Sequence, residues 1–115
     1  MIVVAGTIDF ADAGARDAAV AATAQLQRAT RDDEAGCLAY CFAADPVEPA
    51  RVQVYELWLD EASLAAHFEH ANYGAMRQIL RSYPRAGQST TSKLRCDLVE
   101  PVYGPDGVPR ATFDG

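Results

Sequence analysis

From Ile2 to Phe10 the chain alternates Ile2, Val4, Gly6, Ile8 and Phe10 with Val3, Ala5, Thr7 and Asp9, a period of two that predicts a strand. Asp12 and Gly14 supply turn and cap chemistry behind it. Ala15, Ala19, Ala22, Leu26 and Ala29 then recur at helical steps with Arg16, Asp17, Gln25, Gln27 and Arg28 between them, so an amphipathic helix with an alanine stripe is expected against a sheet. Gly36 stops that helix, and Cys37 to Ala44 predicts a second strand with Tyr40 and Phe42 on one face. Two prolines in Asp45–Pro49 predict a turn, hence a hairpin into a third strand, Arg51 to Leu59. That strand places Val52, Val54, Glu56 and Trp58 on one face and Gln53, Tyr55, Leu57 and Leu59 on the other, so it lacks a water-facing side. Behind Asp60, a good N-cap, Leu64, Phe68, Met76, Ile79 and Leu80 keep helical spacing with an interruption near Asn72-Tyr73-Gly74, which predicts two helical pieces or one bent helix. Ala86 to Ser92 reads as a loop, and Lys93 to Val99 as a last strand.

The element order is therefore β-α-β-β-α-β, the ferredoxin-like α+β plan of an antiparallel sheet with both helices on one face. Residues 1–100 are expected to form this domain. Residues 101–115, too polar and broken for core, are expected as a C-terminal tail or an arm on a partner. Alternate strand positions stay apolar on the face the helices leave bare, and a bare apolar face of that size calls for a second sheet, so a homodimer packed face to face is expected.

Bulk properties narrow the partners. At 115 residues, half of them hydrophobic, the chain suits one folded domain. Its net charge of −6, with carboxylates spread along the chain, gives no footprint for nucleic acid or an anionic membrane. The N-terminus lacks the pattern of a signal peptide and no segment has the length to span a bilayer, so the cytoplasm is the expected location. Cys37, Cys41 and Cys96 lack zinc-site spacing, and Cys37 and Cys41 would lie about 13 Å apart on one strand, so reduced thiols and no metal are expected.

Val54-Tyr55-Glu56-Leu57-Trp58, Ala66-His67-Phe68 and Glu34-Ala-Gly-Cys-Leu-Ala-Tyr40 together resemble the antibiotic-biosynthesis-monooxygenase-like family of dimeric α/β-barrel proteins, which includes the quinol monooxygenases. The resemblance covers roughly Met1 to Val99. It implies a dimeric ferredoxin-like fold and, among the family's activities, oxidation of quinols and aromatic polyketides by dioxygen without a cofactor. The family's haem-degrading members use an Asn on strand one with a Trp and a His on the second helix. Thr7, His67 and Arg77 stand at those positions, so haem degradation is not expected. Its polyketide monooxygenases carry an Asn near the strand-three Trp, whereas the one asparagine here, Asn72, falls on the helix side.

His67 is the leading catalytic candidate, a titratable side chain beside the Glu56–Trp58 strand that can take a proton from a phenol or enol; the alternative is a helix histidine bonded to a neighbour at the sheet edge. His70 is expected at the surface. Glu56 points into an apolar layer, where it is either a base with a raised pKa or half of an ion pair with Arg51, Arg77 or Arg81. Trp58, Tyr40, Phe42, Tyr55, Phe68 and Tyr73 either wall a cavity for a flat aromatic substrate or are plain core. The expected activity is cofactor-independent monooxygenation of a quinol-like or polyphenolic substrate; the alternatives are a non-catalytic dimeric binding protein for a small apolar ligand and a cofactorless isomerase or cyclase.

Overall fold

The computed structural model describes residues 1–87 and 89–115, in the order β1 (Ile2–Asp9), α1 (Ala13–Asp33), β2 (Cys37–Ala44), β3 (Arg51–Trp58), α2 (Glu61–Glu69), α3 (Ala71–Arg81) and β4 (Thr90–Arg95). The strands form one antiparallel sheet in the order β2-β3-β1-β4, the ferredoxin-like α+β fold.

Side-chain alternation in β3 follows the period of two. Val52, Val54, Glu56 and Trp58 are buried beneath the helices, while Gln53 and Tyr55 are exposed and Leu57 is half-buried. The register carries this division across the sheet. Tyr40, Glu56, Val4 and Lys93 form one row on the inner face, and Ala39, Leu57, Val3 and Leu94 a row on the outer one. The outer face stays apolar and open to solvent, with Tyr55 46% and Leu94 50% exposed.

Helices α1 and α2 each begin on an aspartate. Oδ1 of Asp12 accepts from the Ala15 N–H at 2.8 Å, and Oδ1 of Asp60 accepts from the Ser63 N–H at 2.8 Å, satisfying donors that the first helical turn leaves free. The buried stripe of α1 differs from the alanine stripe expected: Ala19, Thr23, Gln27 and Thr30 are buried and Ala22 is exposed. The polar members are buried because α1 lies along the free edge of β2. Gln27 donates to the Phe42 carbonyl at 3.1 Å and accepts from the Phe42 N–H at 2.9 Å, and Arg31 Nε donates to the Tyr40 carbonyl at 2.6 Å. These bonds occupy backbone groups that an edge strand otherwise offers to another chain.

The second helical stretch is two helices, and the break falls at His70 rather than at Asn72-Tyr73-Gly74. Exposed His70 caps α3 by accepting from the Asn72 N–H at 3.0 Å, so it starts a new helix instead of sharing a face with His67. The last strand also departs from the expected Lys93–Val99. Thr90 to Ser92, expected as loop, already pair with β1, and pairing ends at Arg95. All six β4 residues are exposed, so no burial pattern marks them in the sequence. Gln88, within that expected loop, lies outside the described residues.

Beyond β4, Cys96 N–H donates to the Met1 carbonyl at 2.7 Å. The tail then makes its own turn around Gly107, closed by a Tyr103–Pro109 bridge, and leaves Leu98, Val102, Tyr103 and Phe113 exposed. The radius of gyration, 16.0 Å, exceeds the roughly 13 Å of a compact chain of this length.

Candidate active site

Leu64 and His67 are the two buried residues of α2, one helical turn apart, so the phase that docks Leu64 into the core also carries the imidazole inward. His67 is 2% exposed. Its ring lies 4.4 Å from the Trp58 ring, tilted by 33°, with Tyr40 at 5.5 Å and Tyr73 at 5.4 Å edge-on.

Nδ1 of His67 lies 2.7 Å from Oε1 of Glu34, the C-cap of α1. The other carboxylate oxygen accepts from Asn72 Nδ2 at 3.2 Å, so one side chain ties α1 to α2 and α3. A carboxylate can only accept, which places the proton on Nδ1 and leaves Nε2 as the imidazole's acceptor. Neither Glu34 nor Asn72 is among the candidates that the sequence raises. Glu34 sits in the Glu34–Tyr40 segment that carries the family resemblance, which was the one available signal; Asn72, expected only on the helix side, is an orienting member of the site.

Among the described residues Glu56 has no arginine partner. Arg51 is engaged by Asp9 at 2.8 Å, and the hydrogen bond to Glu56 Oε1 comes from Trp58 Nε1 at 2.9 Å. Burial pushes the Glu56 carboxyl up to about 7, against the lowering effect of the Trp58 bond and with a smaller push from Glu34. Burial also raises the Tyr40 phenol, helped by the charges of Glu56 and Glu34, so Tyr40 remains a neutral hydroxyl.

These side chains meet at a cavity of about 470 Å³ between the sheet and the α2–α3 pair, within the range that takes a small organic ligand. His67, Glu56, Tyr40, Phe42, Phe68 and Tyr73 line it. Trp58 and Tyr55 do not: Trp58 is fully buried behind the wall, stacked on His67 and bonded to Glu56, while Tyr55 alternates with Glu56 on β3 and points to the outer face of the sheet. Phe68 stands at the rim, 52% exposed. Among the described residues no group of three His, Cys, Asp or Glu side chains could hold a metal ion, the three cysteines are free thiols, and no helix is long and apolar enough to cross a membrane.

The sequence profile described as antibiotic biosynthesis monooxygenase matches residues 1–79, from β1 through most of α3. The chain belongs to the antibiotic biosynthesis monooxygenase family. Solved structures share its fold. A Nitrosomonas europaea protein named for this family is 19% identical with a TM-score of 0.74, covering 85% of this chain and 100% of its own. A Caulobacter crescentus protein named for it is 22% identical with a TM-score of 0.74, covering 86% and 90%. A Shewanella oneidensis protein is 26% identical with a TM-score of 0.65, covering 81% and 89%. No curated protein matches the chain. The family match holds the Glu34–His67–Asn72 group and the aromatic wall; it stops before Arg81, the following loop and β4.

Proposed function

We propose that this chain is a cofactor-independent monooxygenase that uses dioxygen to oxidise a quinol-like or polyphenolic aromatic substrate, polyketide aromatics included. The observation that carries this reading is the Glu34–His67 pair set in an aromatic-lined cavity of about 470 Å³. Nε2 of His67 takes a phenolic proton. The resulting electron-rich phenolate passes one electron to dioxygen, and the two radicals combine into a ring hydroperoxide. Loss of water then leaves a new carbonyl. One oxygen atom enters the product and the other leaves as water with the proton that His67 held. All four electrons come from the substrate, so the protein's task is to deprotonate, orient and shield. Glu56, pushed up to about 7, can share a proton with the substrate oxygen near neutral pH, and Tyr40 can donate to it as a neutral phenol.

The reading includes a cytoplasmic homodimer built on the exposed outer face of the sheet, with residues 1–100 as the domain and residues 101–115 as a C-terminal tail or an arm reaching the partner. Oxygen uptake with a menadiol-type quinol is the test. Wild-type protein should consume oxygen and yield a product heavier by one oxygen and lighter by two hydrogens. His67→Ala should abolish uptake while remaining folded, and undiminished uptake would remove His67 from the mechanism. Saturable aromatic binding without uptake would mark a carrier or sensor, and a product of unchanged mass an isomerase or cyclase.

A further inference from the structure

The ten Lys and Arg residues fall into two groups. Arg16, Arg28, Arg51, Arg95 and Arg110 each lie against a carboxylate, and Arg31 donates to a backbone carbonyl. The other four, Arg77, Arg81, Arg85 and Lys93, have neither kind of partner among the described residues, and all four line the cavity that His67 and Glu56 line. This is not the overflow of a basic protein, because the chain carries a net charge of −6.

The four cations arrive from three elements. Arg77 and Arg81 are one turn apart on α3, where like charges repel. Arg85 follows on a segment fixed by backbone bonds, Ala11 N–H to the Pro84 carbonyl at 2.9 Å and Ala86 N–H to the Asp9 carbonyl at 3.0 Å. Its guanidinium carbon sits 6.0 Å from the centre of the Phe10 ring. Its Nε is buried with no hydrogen-bond partner among the described residues, an arrangement that folded proteins keep rare. Burial, with the nearby Arg81 charge, lowers the Arg85 pKa, as expected of a cation lacking a counter-charge. Lys93 shares the inner-face row with Val4 and Glu56, two strands away, about 10 Å from Glu56 by strand spacing. Glu56 is the one acid on the described wall, and at about 7 its carboxyl is only partly ionised near neutral pH.

The cavity wall thus combines the proton-handling, aromatic His67 and Tyr40 with four unneutralised cations, Arg77, Arg81, Arg85 and Lys93. We propose that it takes an aromatic substrate bearing an anionic group, a carboxylate or phosphate held by Arg77, Arg81, Arg85 and Lys93 while the ring lies against His67. The inference rests on the monooxygenase reading for the ring chemistry only. Anion recognition stands on the cation cluster, and Arg81, Arg85 and Lys93 lie beyond the residue 79 at which the family match ends.

Calorimetric binding without turnover separates the two. The probes are 1-naphthol, 1-hydroxy-2-naphthoate and 1-naphthyl phosphate, titrated into wild-type protein at neutral pH and low salt. At least one acid should bind at least about tenfold more tightly than 1-naphthol, with the preference shrinking as salt is raised. Which acid wins assigns the anion. In Arg81→Gln/Arg85→Gln and, separately, Lys93→Gln, the ratio of acid to naphthol affinity should fall towards one. Equal affinity of wild type for all three probes, no binding of any of them, or a preference that survives in both variants overturns the proposal. A preference that the variants lose, in a protein that consumes no oxygen with any quinol, upholds the anion site and sinks the monooxygenase reading alone.

Discussion

Nδ1 of His67 donates to Oε1 of Glu34 across 2.7 Å, joining the last turn of α2 to the C-terminal cap of α1 over 33 residues of sequence. The bond fixes one tautomer and one ring orientation, and it puts the acceptor nitrogen at the disposal of the cavity.

Glu34→Gln tests that relationship with little change of shape. An amide can accept from Nδ1–H, but it can also turn its NH₂ towards the ring, so the proton's position is no longer enforced. The turnover number should fall by about tenfold or more with a smaller change in KM. Glu34→Ala should also lower stability by about 1–3 kcal/mol, because the buried Nδ1–H and the Asn72 amide both lose their acceptor. Steady-state oxygen uptake and urea unfolding measure the two effects; a folded Glu34→Gln variant with wild-type turnover would show that the pair is only structural.

Glu56 makes a stability prediction with a definite sign. Its carboxyl moves from 4.5 to about 7 on folding, equivalent to about 3 kcal/mol at most. The folded state holds the proton more tightly, so the contribution is present in full below 4.5 and is lost as pH rises through about 7. Glu56→Gln keeps an oxygen for Trp58 Nε1 and has nothing to ionise. The variant should gain stability relative to wild type as pH rises across this window and hold a constant difference above it. Urea unfolding at several pH values reads this directly, and a pH-independent difference would contradict the raised carboxyl.

What the sequence pattern revealed and what it hid divide along physical lines. The faces of β3 were legible because burial there follows the period of the strand, and Asp12 and Asp60 were legible as caps because capping is local. Gln27 was misread as solvent-facing: its bonds to Phe42, 15 residues away, depend on which strand forms the sheet edge. β4 was displaced because six exposed residues leave no alternation to read. Glu34 and Asn72 stayed hidden for the same reason as Gln27, since a polar side chain that finds its partner 33 or 38 residues away looks like surface in one dimension. The ion pair weighed for Glu56 required knowing that Arg77 and Arg81 stand at the cavity without turning to it.

Gly6 should tolerate no side chain. It faces the cavity side of the sheet opposite Thr91, and a Cβ there would strike the Thr90 carbonyl and the Thr91 Cα, both backbone atoms. Gly6→Ala must therefore push β4, and Lys93 with it, away from β1. A loss of about 1–3 kcal/mol is expected, visible as a lower urea midpoint. Hydrogen exchange should quicken in Thr90–Arg95 ahead of β3, and unchanged exchange there would mean that the close approach is not needed.

The outer face of the sheet gives the test of assembly. Val3, Leu57 and Leu94 form one continuous apolar row, and Tyr55 stands between Ala5 and Cys41 in the next. A contiguous apolar sheet face open to water is costly, and an isologous partner with the same face would cover it without any unpaired backbone group. Light scattering should therefore give twice the chain mass at micromolar concentration. Tyr55→Asp/Leu57→Asp should halve it, because the substitutions place two carboxylates of each copy against those of the other in a desolvated layer while leaving the helix-covered core untouched. Since both residues point away from the cavity, aromatic-ligand binding in the double variant separates a role for the dimer in the site from a role in covering the sheet. Retained binding in the monomer assigns the interface to covering alone, and a wild-type protein that is monomeric at micromolar concentration removes the dimer altogether.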